Sequence, residues 1–105
     1  MLTSSRELEI GQFVKSKAGR DKDSVLIVIS IYDEQHVMVV DGNLRKLINP
    51  KKKKVKHLIK CGEIDTEFKI KIEEGTYMND AELRKKVSSN VGLVRVRRDS
   101  SNGKK

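Results

Sequence analysis

Tryptophan is absent from this 105-residue chain, and phenylalanine and tyrosine occur only twice each. So few rings exclude a platform that stacks a run of single-stranded bases, and Phe13 and Tyr32 are expected in the core or at a sheet edge. Cysteine occurs once, at Cys61, so no internal disulfide is available and a reducing cytoplasm is the expected setting. His36, His57 and Cys61 are the only soft metal ligands, one short of a closed tetrahedral site, so neither metal nor cofactor is expected. The acidic pairs Asp33-Glu34 and Glu73-Glu74 fall at expected turns or helix ends with no nucleophilic or basic partner near in sequence. No GxxxxGK or GxGxxG cradle is present, and catalysis and a small-molecule substrate are not expected.

Long apolar runs are missing too. The longest, Val25 to Ile29, is five residues, far below the roughly 20 a membrane span needs, so no membrane partner is expected. The opening MLTSSRELEIG places charges where a secretion signal requires an apolar stretch, and no signal peptide is expected. At 12.0 kDa, with 36% apolar and 36% charged residues, the chain suits one domain with a thin core under a solvated surface.

Charge is abundant and unevenly placed. The net charge is +8, yet residues 1–43 balance to −2 and residues 61–105 to +2. The whole excess lies in residues 44–60, where Arg45, Lys46, Lys51, Lys52, Lys53, Lys54, Lys56 and Lys60 meet no acidic residue. A near-neutral body with one basic segment is the footprint of a phosphate-binding surface, against the plainer alternative of a solvated lysine loop.

Patterning organises the rest. Ile10 to Ser16 alternates as a half-buried strand, KAGRDKD is a loop, and SVLIVISIY reads as a strand buried on both faces. DEQ turns the chain into HVMVVD, a hairpin. Asp41-Gly42-Asn43 is a further turn, LRKLI a short strand, Asn49-Pro50 a break, and VKHLI a last strand. Five short strands in about 50 residues predict a mainly β fold, a small antiparallel barrel, with the lysine run held on its rim. Beyond Cys61, Phe68, Ile70 and Ile72 alternate like a strand. Ile64, Phe68 and Ile72 also share a helical face stopped by Gly75, and the helix is the favoured reading. Asn79 with Glu82 forms a capping box for a helix over residues 80–88, LVRVRR reads as a short basic strand, and DSSNGKK is expected to be disordered.

GQFVKSKAGRDKDSVLIVISIYDEQHVMVVDG followed by LRKLINPKKKKVKHL resembles the KOW-motif proteins. The likeness is to the bacterial KOW-domain RNA-binding proteins that are similar to a eukaryotic-type large-subunit ribosomal protein. It covers residues 8–60 and, weakly, MNDAELRKKV; Gly11, the SKAGRD loop, VVDG and KKKKVKHL match in order and spacing. Asp23 departs from the family, which usually has glycine there. The resemblance implies an SH3-like barrel over residues 8–61 that binds ribosomal RNA. A short C-terminal helical appendage over 62–90 and a basic extension over 91–105, largely a disordered tail, complete the expected organisation.

Lysines on a rigid scaffold suit RNA gripped through phosphates and 2′-hydroxyls. The expected RNA-binding residues are Lys15, Lys17, Gly19, Arg20, Lys22, Arg45, Lys46, Lys51, Lys52, Lys53, Lys54, Lys56 and His57. Gly19 either brings a backbone amide to a phosphate or is a turn glycine, and His57 either contacts RNA or packs on the sheet. The expected function is a noncatalytic, ribosome-associated RNA-binding protein whose partner is large-subunit rRNA. The alternatives are a protein-interaction module of the transcription or translation machinery and nonspecific DNA binding. A peptide groove would need aromatic lining, which this chain is short of.

Overall fold

A computed structural model of the chain describes residues 2–20, 22–76 and 78–99, with side chains described as far as residue 89. Five strands, β1 (Gln12–Ser16), β2 (Val25–Ile31), β3 (His36–Val40), β4 (Lys51–Lys54) and β5 (Leu58–Ile64), are followed by helices α1 (Thr66–Glu74) and α2 (Asp80–Asp99). The strands form one antiparallel sheet in the order β4-β3-β2-β1-β5.

That order forces closure. β4 and β5 sit at opposite ends of the sheet, yet only the 3₁₀ turn Val55–His57 joins them. Such a turn advances about 2 Å per residue, whereas five flat strands would set their outer members roughly 19 Å apart. The sheet therefore curls on itself into a small barrel. The turn is pinned on both sides: Val55 N–H donates to Gln35 O at 2.8 Å, and His57 O accepts from Lys17 N–H at 2.7 Å.

The curled sheet has two apolar faces. Inside lie Leu8, Val14, Leu26, Val28, Val37, Val39, Val55 and Leu58. Outside, Phe13, Ile27 and Val40 pack with Phe68 of α1, Leu83 of α2 and Met78. β2 is buried on both faces because it contributes Leu26 and Val28 to one core and Ile27 to the other, as its unbroken apolar run predicts.

Both helices begin at a side-chain cap, and α1 ends at a glycine. The Asp65 carboxylate accepts from Phe68 N–H at 3.0 Å, and Gly75 ends α1 in the left-handed region at φ 72°. Residues 66–74 are thus helix, with Phe68 fully buried. Asn79 Oδ1 accepts from Glu82 N–H at 2.7 Å, one half of the expected capping box; the Glu82 carboxylate instead pairs with Lys71 at 2.9 Å.

Three strand expectations are corrected. LRKLI is a loop, because Asp41 Oδ1 takes Asn43 N–H and Arg45 N–H, both at 2.8 Å, while Leu47 N–H donates to Asp80 Oδ1 at 2.8 Å. Those donors are turned away from any ladder. VKHLI is split between the 3₁₀ turn and the start of β5, and the fourth strand is the lysine run itself. LVRVRR lies within α2, which extends to Asp99 rather than ending near residue 88. Of the expected disordered tail, residues 100–105 lie outside the described residues.

Gly42 fixes the seat of α2. It sits at φ 81°, and a Cβ there would come within 2.5 Å of Asp80 O and 2.9 Å of Arg84 N, so helix and loop approach at a distance only glycine permits. Arg84 Nη1 donates to Gly42 O at 2.8 Å across the same contact.

Candidate nucleic-acid interface

Strand alternation sorts the lysines of β4. Val37 pairs with Lys53 and Val39 with Lys51, and both valines face the barrel interior. Directly paired residues share a face, so Lys51 and Lys53 lie on the inner side of the edge strand and Lys52 and Lys54 on the outer. Four consecutive lysines are therefore two pairs on two faces, not a single row.

Lys53 is the exception to exposure. It is 9% exposed, and its Nζ donates to Ala18 O at 3.4 Å, which carries β4 to the β1–β2 loop. Lys51, Lys52 and Lys54 are exposed. The lysine run, expected on the barrel rim, is thus an ordered edge strand with three exposed lysines and one tied inward.

The loop it meets is built from hydrogen bonds. Ser16 N–H donates to Ser24 O at 3.0 Å, Asp23 N–H to Ser16 O at 2.7 Å, and Lys22 N–H to Gly19 O at 3.2 Å. The buried Ser16 hydroxyl donates to Ala18 O at 2.9 Å. Gly19 sits at φ 76° and Asp23 at φ 70°. Both values lie in the left-handed region that glycine adopts freely, and aspartate is among the few other residues that tolerate it. Gly19, Arg20 and Lys22 are exposed on this tight loop.

Lys17 N–H to His57 O brings the loop against the 3₁₀ turn, where Lys56 is exposed and His57 half-buried. The structure thus joins Lys17, Gly19, Arg20, Lys22, Lys53, Lys56 and His57 into one stretch of rim, with Lys51, Lys52 and Lys54 along the adjoining edge. Beside it, Lys17 and Lys60 border an open groove of about 630 Å³ lined also by Leu2, Glu7, Leu58 and Ile59. Lys60 belongs to the acid-free segment, and its place beside Lys17 follows from β1–β5 pairing, a long-range contact that no local pattern encodes.

The remaining candidates stand elsewhere. Lys15 pairs with Val25 and Ile59 on β1, near Cys61, whose thiol burial pushes up against the opposing pull of the Lys15 charge. Arg45 and Lys46 belong to the 41–50 loop fastened to α2, Arg45 half-buried and Lys46 exposed. That loop also holds Leu44 and Ile48 out to solvent, 76% and 91% exposed.

The two ring expectations separate. Phe13 is buried beneath the helices, but Tyr32 is 58% exposed at the end of β2 with the Lys52 ammonium 4.5 Å from its ring centre. Among the described residues no three His, Cys, Asp or Glu side chains converge on a possible metal site. No described helix is long and apolar enough to cross a membrane. Set against protein-family models and curated protein sequences, the chain matches none.

Proposed function

We propose that this protein is a noncatalytic RNA-binding protein of the cytoplasm that associates with the ribosome and grips large-subunit rRNA through the basic rim of its barrel. The observation that carries the reading is the placement of five of the acid-free segment's eight cations, Lys51, Lys52, Lys53, Lys54 and Lys56, on ordered backbone, β4 and the following 3₁₀ turn, beside a hydrogen-bonded loop that presents Arg20 and Lys22. Lysines so fixed lose little further entropy on meeting phosphates, which is what recognition of folded RNA by shape and backbone requires. The resemblance of residues 8–60 to KOW-domain proteins supports the same partner.

Titration of a labelled large-subunit rRNA fragment across a salt series tests it. If about four phosphates are neutralised, the affinity falls with a log-log slope of roughly −3. Co-sedimentation with large subunits that withstands a salt wash extends the result to the ribosome. Equal affinity for duplex DNA of the same length would reduce the rim to a nonspecific polyanion surface, and salt-independent binding would overturn the electrostatic grip altogether.

A further inference from the structure

The outer face of the β3–β4 edge carries a second arrangement. α1 and α2 cover the outer face of the sheet around Phe13, Ile27 and Val40, and that cluster does not include Tyr32, His36, Lys52 or Lys54 at the tip of β2, the start of β3 and along β4. There Tyr32 N–H donates to His36 O at 3.1 Å, which brings the two residues side by side. The two rings form a T-shaped pair, with centroids 6.3 Å apart and planes at 81°. Lys54 pairs directly with His36, and Lys52, one row along, extends its ammonium to 4.5 Å from the Tyr32 ring centre.

The tyrosine ring thus stands perpendicular to His36 with a cation over one face, and it is still 58% exposed. Nothing in the packing of either core uses Tyr32. An exposed cation–π contact stabilises a fold only weakly, little return for a large ring in water. The acidic residues of the adjoining turn are occupied. Asp33 Oδ1 contacts His36 Nδ1 at 2.8 Å and accepts from Gln35 N–H at 2.9 Å, and the Glu34 carboxylate lies 3.9 Å from Arg6. Both keep their negative charge on the turn side of the ring, so the cations that can meet phosphate stand on the β4 side, at Lys52 and Lys54.

We infer that Tyr32, framed by His36, Lys52 and Lys54, is a site for one unpaired nucleotide of a structured RNA, its base stacked on the tyrosine ring and its flanking phosphates on the two lysines. The inference rests on the RNA-binding reading and adds to it a preference for RNA that offers a bulged or looped-out base. A flat ring accepts any base by stacking, and a lysine close enough to lie over that ring is also close enough to meet the phosphate of a base stacked there. One ring provides one slot, which agrees with a chain too poor in aromatics to hold a run of bases.

The test uses the full chain and two RNA hairpins, one fully paired and one identical but for a single unpaired 5-iodouridine. The parent should bind the bulged hairpin about tenfold more tightly than the paired one, as stacking of one base allows, and irradiation should crosslink the iodouridine to Tyr32. Tyr32→Ala should bring the two affinities together by weakening the bulged complex alone, while Tyr32→Phe, which keeps the ring, retains the preference. Equal binding of both hairpins by the parent, or a preference that survives in Tyr32→Ala, overturns the nucleotide site and leaves the RNA-binding reading standing. Equal loss on both hairpins in Tyr32→Ala makes the residue structural and likewise overturns it. No binding of either hairpin removes both.

Discussion

Lys53 sends its ammonium to Ala18 O with only 9% of the residue exposed, so its stem packs against apolar neighbours and its charge is committed inside the protein. Truncating such a side chain removes packing and one of the two donors to Ala18 O, leaving the Ser16 hydroxyl alone on that carbonyl. Lys53→Ala should therefore cost about 1–2 kcal/mol, seen as a fall of several degrees in Tm. Lys54→Ala and Arg20→Ala, on exposed positions, should stay within about 0.5 kcal/mol of the parent. A Tm for Lys53→Ala equal to that of Lys54→Ala would contradict the assignment. Sequence alone treats these lysines as equals because they are identical and adjacent; only pairing with Val37 makes one of them different. Nothing in the residues around Asp23 announced its positive φ, which aspartate tolerates better than most side chains. Tyr32 was not legible either, because the end of an apolar strand gives no sign of which face the helices leave bare.

At the scale of elements, β2 and α1 were readable because their own residues decide them: a β-branched run in one case, and Phe68, Ile72 and Gly75 in the other. β4 was not, since lysine has a weak preference for strands and KKKK is extended only because β3 offers it a ladder. Two roles compete for those lysines. Charge on an edge strand blocks edge-to-edge association, and it also meets phosphate. Replacing Lys51, Lys52 and Lys54 with glutamine, and keeping Lys53, separates them. If the edge meets RNA, the salt slope of rRNA binding should become shallower by about 2, since three neutralised phosphates contribute roughly 0.7 each. An unchanged slope, with association of the variant at high concentration, would leave them as an edge guard alone. The helical layer makes a different prediction. Lys86 Nζ lies 2.7 Å from Glu67 Oε1 and 3.1 Å from Asp65 Oδ2, which joins α2 to the start of α1. Its hydrogen bond, and then its charge, hold the Glu67 carboxyl below the usual carboxylate range. A carboxyl depressed in the folded state contributes stability above its unfolded pKa and loses it as pH falls through the folded value. Tm should therefore drop between about pH 5 and pH 3, and Glu67→Gln should have a smaller drop from a lower starting point. Glu67 is exposed, so the difference is a small one. Identical acid profiles for parent and variant would remove the pair from the account.

For the whole molecule, the division expected from sequence into a barrel and an appendage meets a shared sheet. Phe13, Ile27 and Val40 are buried by the helices while their neighbours Val14, Leu26 and Val39 fill the barrel, so one set of strands carries both cores. The charge is divided otherwise. The near-neutral ends of the chain form most of the helical layer and the sheet, and the basic middle runs along one edge and the rim. Sequence separates these by counting charges, but it cannot tell that residues 66–87 complete the sheet, because the contacts that fasten them are distant in sequence, 33 positions for Leu47 with Asp80 and 42 for Gly42 with Arg84. A chain ended after Ile64 would keep every strand and expose the outer core. Returning Phe13, Ile27 and Val40 to water costs roughly 5–9 kcal/mol at 1.5–3 kcal/mol each, against a total stability of about 5–15 kcal/mol for a domain of this kind. The barrel fragment should consequently unfold without a cooperative transition and bind a hydrophobic dye, whereas a chain ended after Asp99, with both helices intact, should melt as sharply as the parent. A cooperative transition in the fragment, near the parent's Tm, would show that the barrel stands by itself and that α1 and α2 are an appendage after all.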